Sequence, residues 1–261
     1  MPAHPDKWLP GTPCWTDLMA GDLATTQAFY GRVLGWTYTE SGPDFGGYCN
    51  ALINGHVVAG LSPTMPDAAD APHAWTVYLA TDDLAATTAD AARAGAHVIA
   101  PPMQVGDFGS MALFVDPSGA FVGAWQADQH VGFAEVGEPG TVAWCDLMTH
   151  KGAAAKAFYA DVFGVTYSAS GMAEGDFYSM FTAPGGEYAA GGIGDMGDTF
   201  PDWPDAWGVC FQVADADAIA AEIPGLGGGI VMEPHDFEWG RLVSATGPDG
   251  ERFSLITPTS G

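Results

Sequence analysis

The sequence predicts an α+β chain built of four βαβββ units that pair into two domains, and three observations carry this. First, residues 11–38 (GTPCWTDLMAGDLATTQAFYGRVLGWTY) recur as residues 140–167 (GTVAWCDLMTHKGAAAKAFYADVFGVTY), at an offset of 140 − 11 = 129 and without a gap. Later stretches correspond too: AWTVYLATDD (74–83) with AWGVCFQVAD (206–215), and FGSMALFVDPSG (108–119) with WGRLVSATGPDG (239–250). Second, each half divides again into a strand, a helix and three strands. Third, residues with turn and cap chemistry punctuate those elements where the period changes. A repeat of this length makes the halves homologous, so any site argued for one must be tested in the other.

The elements follow in order. Residues 11–22 are a short apolar stretch ending at Asp22, which is suited to cap a helix. Leu23, Phe29, Tyr30, Val33 and Leu34 follow at helical spacing, and Gly35 stands where a left-handed glycine ends the helix. TYTE (37–40), GYCNALING (47–55) and HVVAGLSP (56–63) read as strands, with Asn54-Gly55 as the hairpin turn between the last two. Residues 73–127 repeat this order. WTVYLA is a strand, Asp82-Asp83 cap a helix that stops near Gly95, and AHVIAPPMQ, SMALFVD and AFVGAWQ are strands. Asp116-Pro117-Ser118-Gly119 makes the last turn. The domains are therefore 1–127 (units 11–65 and 73–127) and 140–261 (units 140–196 and 204–258). The Gly- and acid-rich residues 128–139 serve as linker, and each domain is expected to bury its own core.

Composition bounds the function. The chain has 261 residues, 48% of them apolar, and 9 Trp, as expected of a folded protein. No apolar run reaches membrane-spanning length, and the start (MPAHPDKWLP) lacks a basic segment followed by an apolar one. Cys14, Cys49, Cys145 and Cys210 form no CxxC and do not occupy matching repeat positions, which points to free buried thiols and a cytoplasmic location. Seven Lys and Arg against 32 Asp and Glu give a net charge of −25, spread along the chain. Such a field disfavours nucleic acid and anionic membrane and favours a cationic ligand, while also serving solubility alone.

The AFY helix motif ending in GW or GV, with a D/G-P-x-G turn near the end of each half, resembles the vicinal oxygen chelate superfamily. That group includes glyoxalase I, bleomycin-resistance proteins and extradiol dioxygenases. The similarity spans nearly the whole chain and is nearest to two-domain actinobacterial glyoxalase/bleomycin-resistance-like proteins, some of them labelled hydroxylases. It implies that each pair of units curls into a half-open barrel, a cup around a ligand. It also implies where metal ligands would stand. The opening strands have Trp15 and Trp144 there, the strands after the central connection Thr76 and Gly208, and the closing strands Gly123 and Ser254. Tryptophan and glycine side chains cannot ligate, and a lone hydroxyl binds divalent cations weakly, so no metal and no other cofactor is expected.

Aromatic residues stand in the metal's place. Trp15 and Trp144, with the repeat-matched Trp75 and Trp207, are candidate ligand walls for a flat molecule, or else core filler. Tyr48 and Tyr178 lie in corresponding strands and are candidate donors to a ligand carbonyl. Asp17 and Asp146 are carboxyls kept in apolar strands. Buried in a cup, each would titrate high and act as acid or base, and the alternative is that each ties backbone or an indole N–H. The histidines have no repeat partners. His73 is expected near a cup mouth, and His235 with Glu238 is the one histidine–carboxylate pair of interest. Arg241 is expected to pair with a local acid such as Asp249. No phosphate loop, nucleophile elbow or Cys/His pair appears.

Two functions fit. One is metal-independent binding of a hydrophobic or aromatic metabolite, with a cationic group favoured, in secondary metabolism or detoxification. The other is a cofactor-free tailoring enzyme (isomerase, lyase or hydroxylase-like) using Asp/Tyr chemistry in the cup. A small molecule is the expected partner, and the chain is expected as a monomer with pseudo-dimeric halves or as a homodimer.

Overall fold

The computed structural model describes residues 6–40, 45–65, 73–169 and 177–259, so the first five residues of the N-terminal reading lie outside the described residues. In the first half β1 (Pro13–Ala20), α1 (Leu23–Leu34), β2 (Thr37–Tyr38), β3 (Cys49–Ile53) and β4 (His56–Pro63) form one unit. The second unit is β5 (Trp75–Ala80), α2 (Leu84–Arg93), β6 (His97–Val105), β7 (Gly109–Val115) and β8 (Phe121–Ala127). The other half repeats this with β9 (Val142–Thr149), α3 (Gly152–Phe163), β10 (Thr166–Ala169), β11 (Tyr178–Thr182) and β12 (Gly191–Asp195). Its last unit is β13 (Ala206–Gln212), α4 (Ala216–Glu222), β14 (Gly229–Phe237), β15 (Gly240–Thr246) and β16 (Arg252–Pro258).

Local chemistry sets the boundaries. The Asp22 carboxylate accepts the Thr25 N–H at 2.8 Å, and Asp83 and Asp215 cap α2 and α4 in the same way. Gly35 and Gly164 close α1 and α3 at φ 75° and 68°, a region L side chains rarely enter.

Two eight-stranded sheets result, ordered β2-β3-β4-β1-β5-β8-β7-β6 and β10-β11-β12-β9-β13-β16-β15-β14. In each, the first strands of the two units run antiparallel at the centre, while each pairs in parallel with the last strand of its own unit. The sheets curl into half-barrels. Phe45, just before β3 on one flank, lies 5.6 Å from Phe108 in the β6–β7 turn on the other, a contact no flat sheet of this size allows.

The hydrophobic core does not divide with the repeat. From α1, Phe29 and Tyr30 pack on Phe253 of β16, and Trp36 packs on Phe211 of β13. The Tyr30 hydroxyl donates to Glu251 at 2.9 Å, and the Tyr159 hydroxyl of α3 donates to Asp116 at 2.8 Å, each crossing between halves. Each half thus inserts its first helix against the other's second unit, and one continuous core replaces the two expected. Arg241 also departs from expectation: it pairs with Asp217 and Asp236, whereas Asp249 accepts from the Gly21 N–H.

Candidate functional site

Along β1 and β9 the side chains alternate between the helix-covered face and the inside of the cup. Leu18 and Leu147 belong to the core. Trp15 and Asp17, and likewise Trp144 and Asp146, share the other face and meet through a tyrosine. In the first half the Trp15 Nε1–H donates to the Tyr48 hydroxyl at 3.0 Å, and that hydroxyl reaches Asp17 Oδ2 at 3.4 Å. In the second the Trp144 Nε1–H donates to the Tyr178 hydroxyl at 2.7 Å, and that hydroxyl donates to Asp146 Oδ2 at 3.0 Å. Glycine makes the relay possible. A Cβ at Gly60 would overlap the Tyr48 hydroxyl, and one at Gly192 the Tyr178 hydroxyl. The aspartates therefore tie an indole only through a phenol.

The first cup adds a group that the sequence reading missed. The Tyr78 hydroxyl reaches Asp17 Oδ1 at 3.4 Å, so two phenols face one carboxyl. The repeat-matched residue in the second cup is Cys210. Burial raises the Asp17 pKa to about 7 against the opposing pull of Tyr78 and Tyr48, and raises Asp146 to about 6 against Tyr178. Desolvation wins because hydrogen bonds of 3.4 Å are long for hydroxyl donors, and the shorter bond goes with the smaller rise. The three phenols are pushed well up by burial, so they remain protonated donors.

Pairing across the sheet corrects the expected metal rung. Trp15 stands opposite Tyr78, which stands opposite Gly123; in the second half the rung is Trp144, Cys210 and Ser254. Thr76 and Gly208 lie one rung away, opposite Asp17 and Asp146. The corrected rungs offer one phenol, one thiol and one hydroxyl. Among the described residues no cluster of three His, Cys, Asp or Glu could hold a metal ion. The side chains present do not fit a divalent cation of the kind this fold can carry.

Trp75 and Trp207 do not line the cups. Each is buried on the helix-covered face and donates its indole N–H to a helix phenol, Trp75 to Tyr30 at 3.1 Å and Trp207 to Tyr159 at 2.7 Å. Their position on β5 and β13, one residue out of phase with Thr76 and Gly208, requires this. His73 donates from Nδ1 to the Met19 carbonyl, and His235 is half-buried with its ring against the Glu233 carbonyl and not Glu238.

The cups also differ at their tryptophan ends. The linker turns back over the first: the His130 ring lies edge-on to Trp15 at 4.3 Å and Phe133 packs on it at 5.8 Å. Trp15 is left 3% exposed. Burial depresses the His130 pKa to about 4, so this ring is neutral at ordinary pH. Trp144 has no such cover. It is partly exposed and lines a cavity of about 430 Å³, bounded by residues 7–13, the linker and the loop 183–190. His130, Phe133 and Tyr188 carried no periodic signal, since they lie in loops.

Paired βαβββ units, curled into cups with a polar group on each floor, define a class, and comparison with known proteins agrees. The model of the Glyoxalase/Bleomycin resistance protein/Dioxygenase superfamily matches twice, over residues 14–122 and 141–255. The chain belongs to that superfamily. It is 38% identical to CFP32 of Mycobacterium tuberculosis, provisionally named a glyoxylase, over 95% of both chains. It is 34% identical to the anthracycline biosynthesis protein DnrV of Streptomyces peucetius, over 98% of this chain and 96% of that one. Among solved structures, the 2,3-dioxygenase LapB from Pseudomonas sp. KL28 superposes with a TM-score of 0.66 at 14% identity, covering 97% of this chain and 93% of that one. The Mn(II)-bound glyoxalase from Novosphingobium aromaticivorans gives 0.66 at 17%, covering 95% and 82%. At such identities the structural likeness concerns the fold.

Proposed function

We propose that this protein handles a small hydrophobic or aromatic metabolite of secondary metabolism in its cups and does so without a bound metal. The observation that carries the reading is the Trp–Tyr–Asp relay repeated in both halves, on strands where a metal site would need His or Glu. An indole wall beside a phenol and a carboxyl suits a flat ring bearing carbonyl or hydroxyl groups. A full-length relative named for anthracycline biosynthesis supports that substrate class. The net charge of −25 favours a cationic substituent.

A second reading is supported by the convergence of phenols on each carboxyl, namely acid–base tailoring of the bound metabolite. A carboxyl titrating near neutrality can take a proton from a carbon or oxygen acid and return it elsewhere on the same molecule. The phenols stabilise its anion by donation and do not compete for the proton. Mass spectrometry of compounds carried through purification tests the binding reading. Absence of any co-purified or added aromatic ligand in the protein would overturn it. Proton–deuterium exchange at the ligand's carbons in D2O, lost in Asp17→Asn or Asp146→Asn, separates enzyme from binder.

A further inference from the structure

The repeat invites treating the cups as equivalent, yet their tryptophan ends are built in opposite ways. In the first half the cover over Trp15 is a fixed part of the structure. The Trp125 Nε1–H donates to the His130 carbonyl at 2.9 Å, and the Phe133 N–H donates to the Cys14 carbonyl at 2.7 Å. Gly132 passes so close to β1 that a Cβ there would overlap the Cys14 carbonyl, and its φ of +107° admits little but glycine. Aromatic side chains of the chain itself already occupy the face of Trp15.

In the second half the same position opens on a cavity. Its wall gathers Trp8, Phe133, Trp144 and Tyr188, four aromatic rings from four separate segments, with Glu187 beside Tyr188. The volume of about 430 Å³ falls within the range of roughly 300–1,000 Å³ usual for small-molecule pockets. The Tyr188 ring is 82% exposed, a large apolar surface that a stacked partner would remove from water. Lys7, also at the wall, gives its ammonium to the Ala127 carbonyl, and Glu187 places a carboxylate at the same rim.

We infer that the second half holds the binding site, a cavity at Trp144 between the residue 7–13 segment and the loop 183–190, and that it takes one flat aromatic molecule, neutral or singly cationic. This rests on the reading that the protein handles an aromatic metabolite. It adds that binding is confined to one half and that Trp8 and Tyr188, outside the cup strands, belong to the site. Stacking between rings accounts for affinity, and the net charge of −25 for a preference for cations at low salt.

Calorimetric titration of the full chain with two probes tests this: proflavine as the planar cation and 1,4-dihydroxyanthraquinone as the neutral plane. One molecule of probe should bind per chain. Trp144→Ala removes a wall, and Ala189→Phe fills the cavity from its loop. Each should weaken binding roughly tenfold. Ala189→Phe changes a partly exposed loop position, so it decides the matter even where Trp144→Ala does not fold. Binding that ignores both second-half substitutions, or a stoichiometry of two, overturns the location and leaves the broader reading standing. No saturable binding of either probe up to millimolar concentration overturns the inference, and a ligand-free purified protein then removes the broader reading too.

Discussion

Asp17→Asn should make the protein more stable, by an amount that grows with pH. The Asp17 carboxyl titrates near 7 in the folded chain and near 3.9 in an unfolded one. A carboxyl whose pKa rises on folding favours the native state only while protonated. Its contribution is complete below about pH 4 and is lost as pH climbs through 7. Each pH unit between the two values is worth about 1.4 kcal/mol, so at pH 8 the buried anion costs roughly 4 kcal/mol. Asparagine keeps the shape, accepts from one of Tyr48 and Tyr78 at its oxygen and donates to the other hydroxyl from its NH2, and it never ionises. The variant should therefore match the parent near pH 4 and exceed it by about 3–4 kcal/mol at pH 8. Urea unfolding of both proteins at several pH values reads this difference. The comparison cancels the titration of the other carboxyls, which dominates the pH dependence of either protein alone. A difference that stays flat with pH, or favours the parent at pH 8, would mean that Asp17 ionises at its ordinary pKa. The acid–base reading of the first cup would then fail.

Four further outcomes are expected. Gly60→Ala and Gly192→Ala should each displace a relay tyrosine, seen as altered tryptophan fluorescence from Trp15 or Trp144; unchanged spectra would refute the close packing described. Tyr159→Phe leaves buried Asp116 and the Trp207 indole each short of a partner and should cost about 2–3 kcal/mol in urea unfolding. A loss near zero would show that water replaces the hydroxyl. Residues 1–130 and 131–261 produced separately should stay unfolded by circular dichroism and recover structure on mixing, because α1 and α3 pack across the halves. A cooperative melt from either alone would contradict this. Elemental analysis should find Zn, Ni, Fe and Mn below stoichiometry and assays no glyoxalase I activity, whereas one tightly held metal per half would refute the donor argument.

Much of the fold could be read from local chemistry. Asp22, Asp83 and Asp215 announce helix starts, Gly35 and Gly164 their ends, and Asn54-Gly55 its hairpin with φ of 52° and 85°. What escaped was whatever depends on distant segments. The second rung position slipped from Tyr78 to Thr76, because a shift by two residues keeps the same pleat face and leaves the alternation intact. A bulge between Pro13 and Trp15 further offsets the count. Trp75 and Trp207 looked like site residues because they repeat, but a core position repeats as faithfully as a functional one. Cross-half partners left no trace in the repeat at all. Tyr159 meets Asp116 of the DPSG turn, yet Tyr30 meets Glu251, which lies just beyond the corresponding GPDG turn. The glycine at 247 makes room for it, since a Cβ there would overlap the Glu251 carboxylate.

The two halves keep one relay and surround it differently, and this bears on where chemistry would occur. The first carboxyl has two phenols and the higher pKa, but its tryptophan end is sealed by His130 and Phe133. The second has a single phenol and a neighbouring thiol, Cys210, which burial holds protonated. Its tryptophan borders the open cavity. Trp144 and Asp146 are alternate residues on one strand, about 7 Å apart along it, and the Tyr178 hydroxyl links them. On the proposed acid–base reading the open tryptophan end favours the second cup, while the more perturbed Asp17 carries the larger cost in stability. A site is chosen by the approach its neighbours leave open as much as by the pKa of its acid.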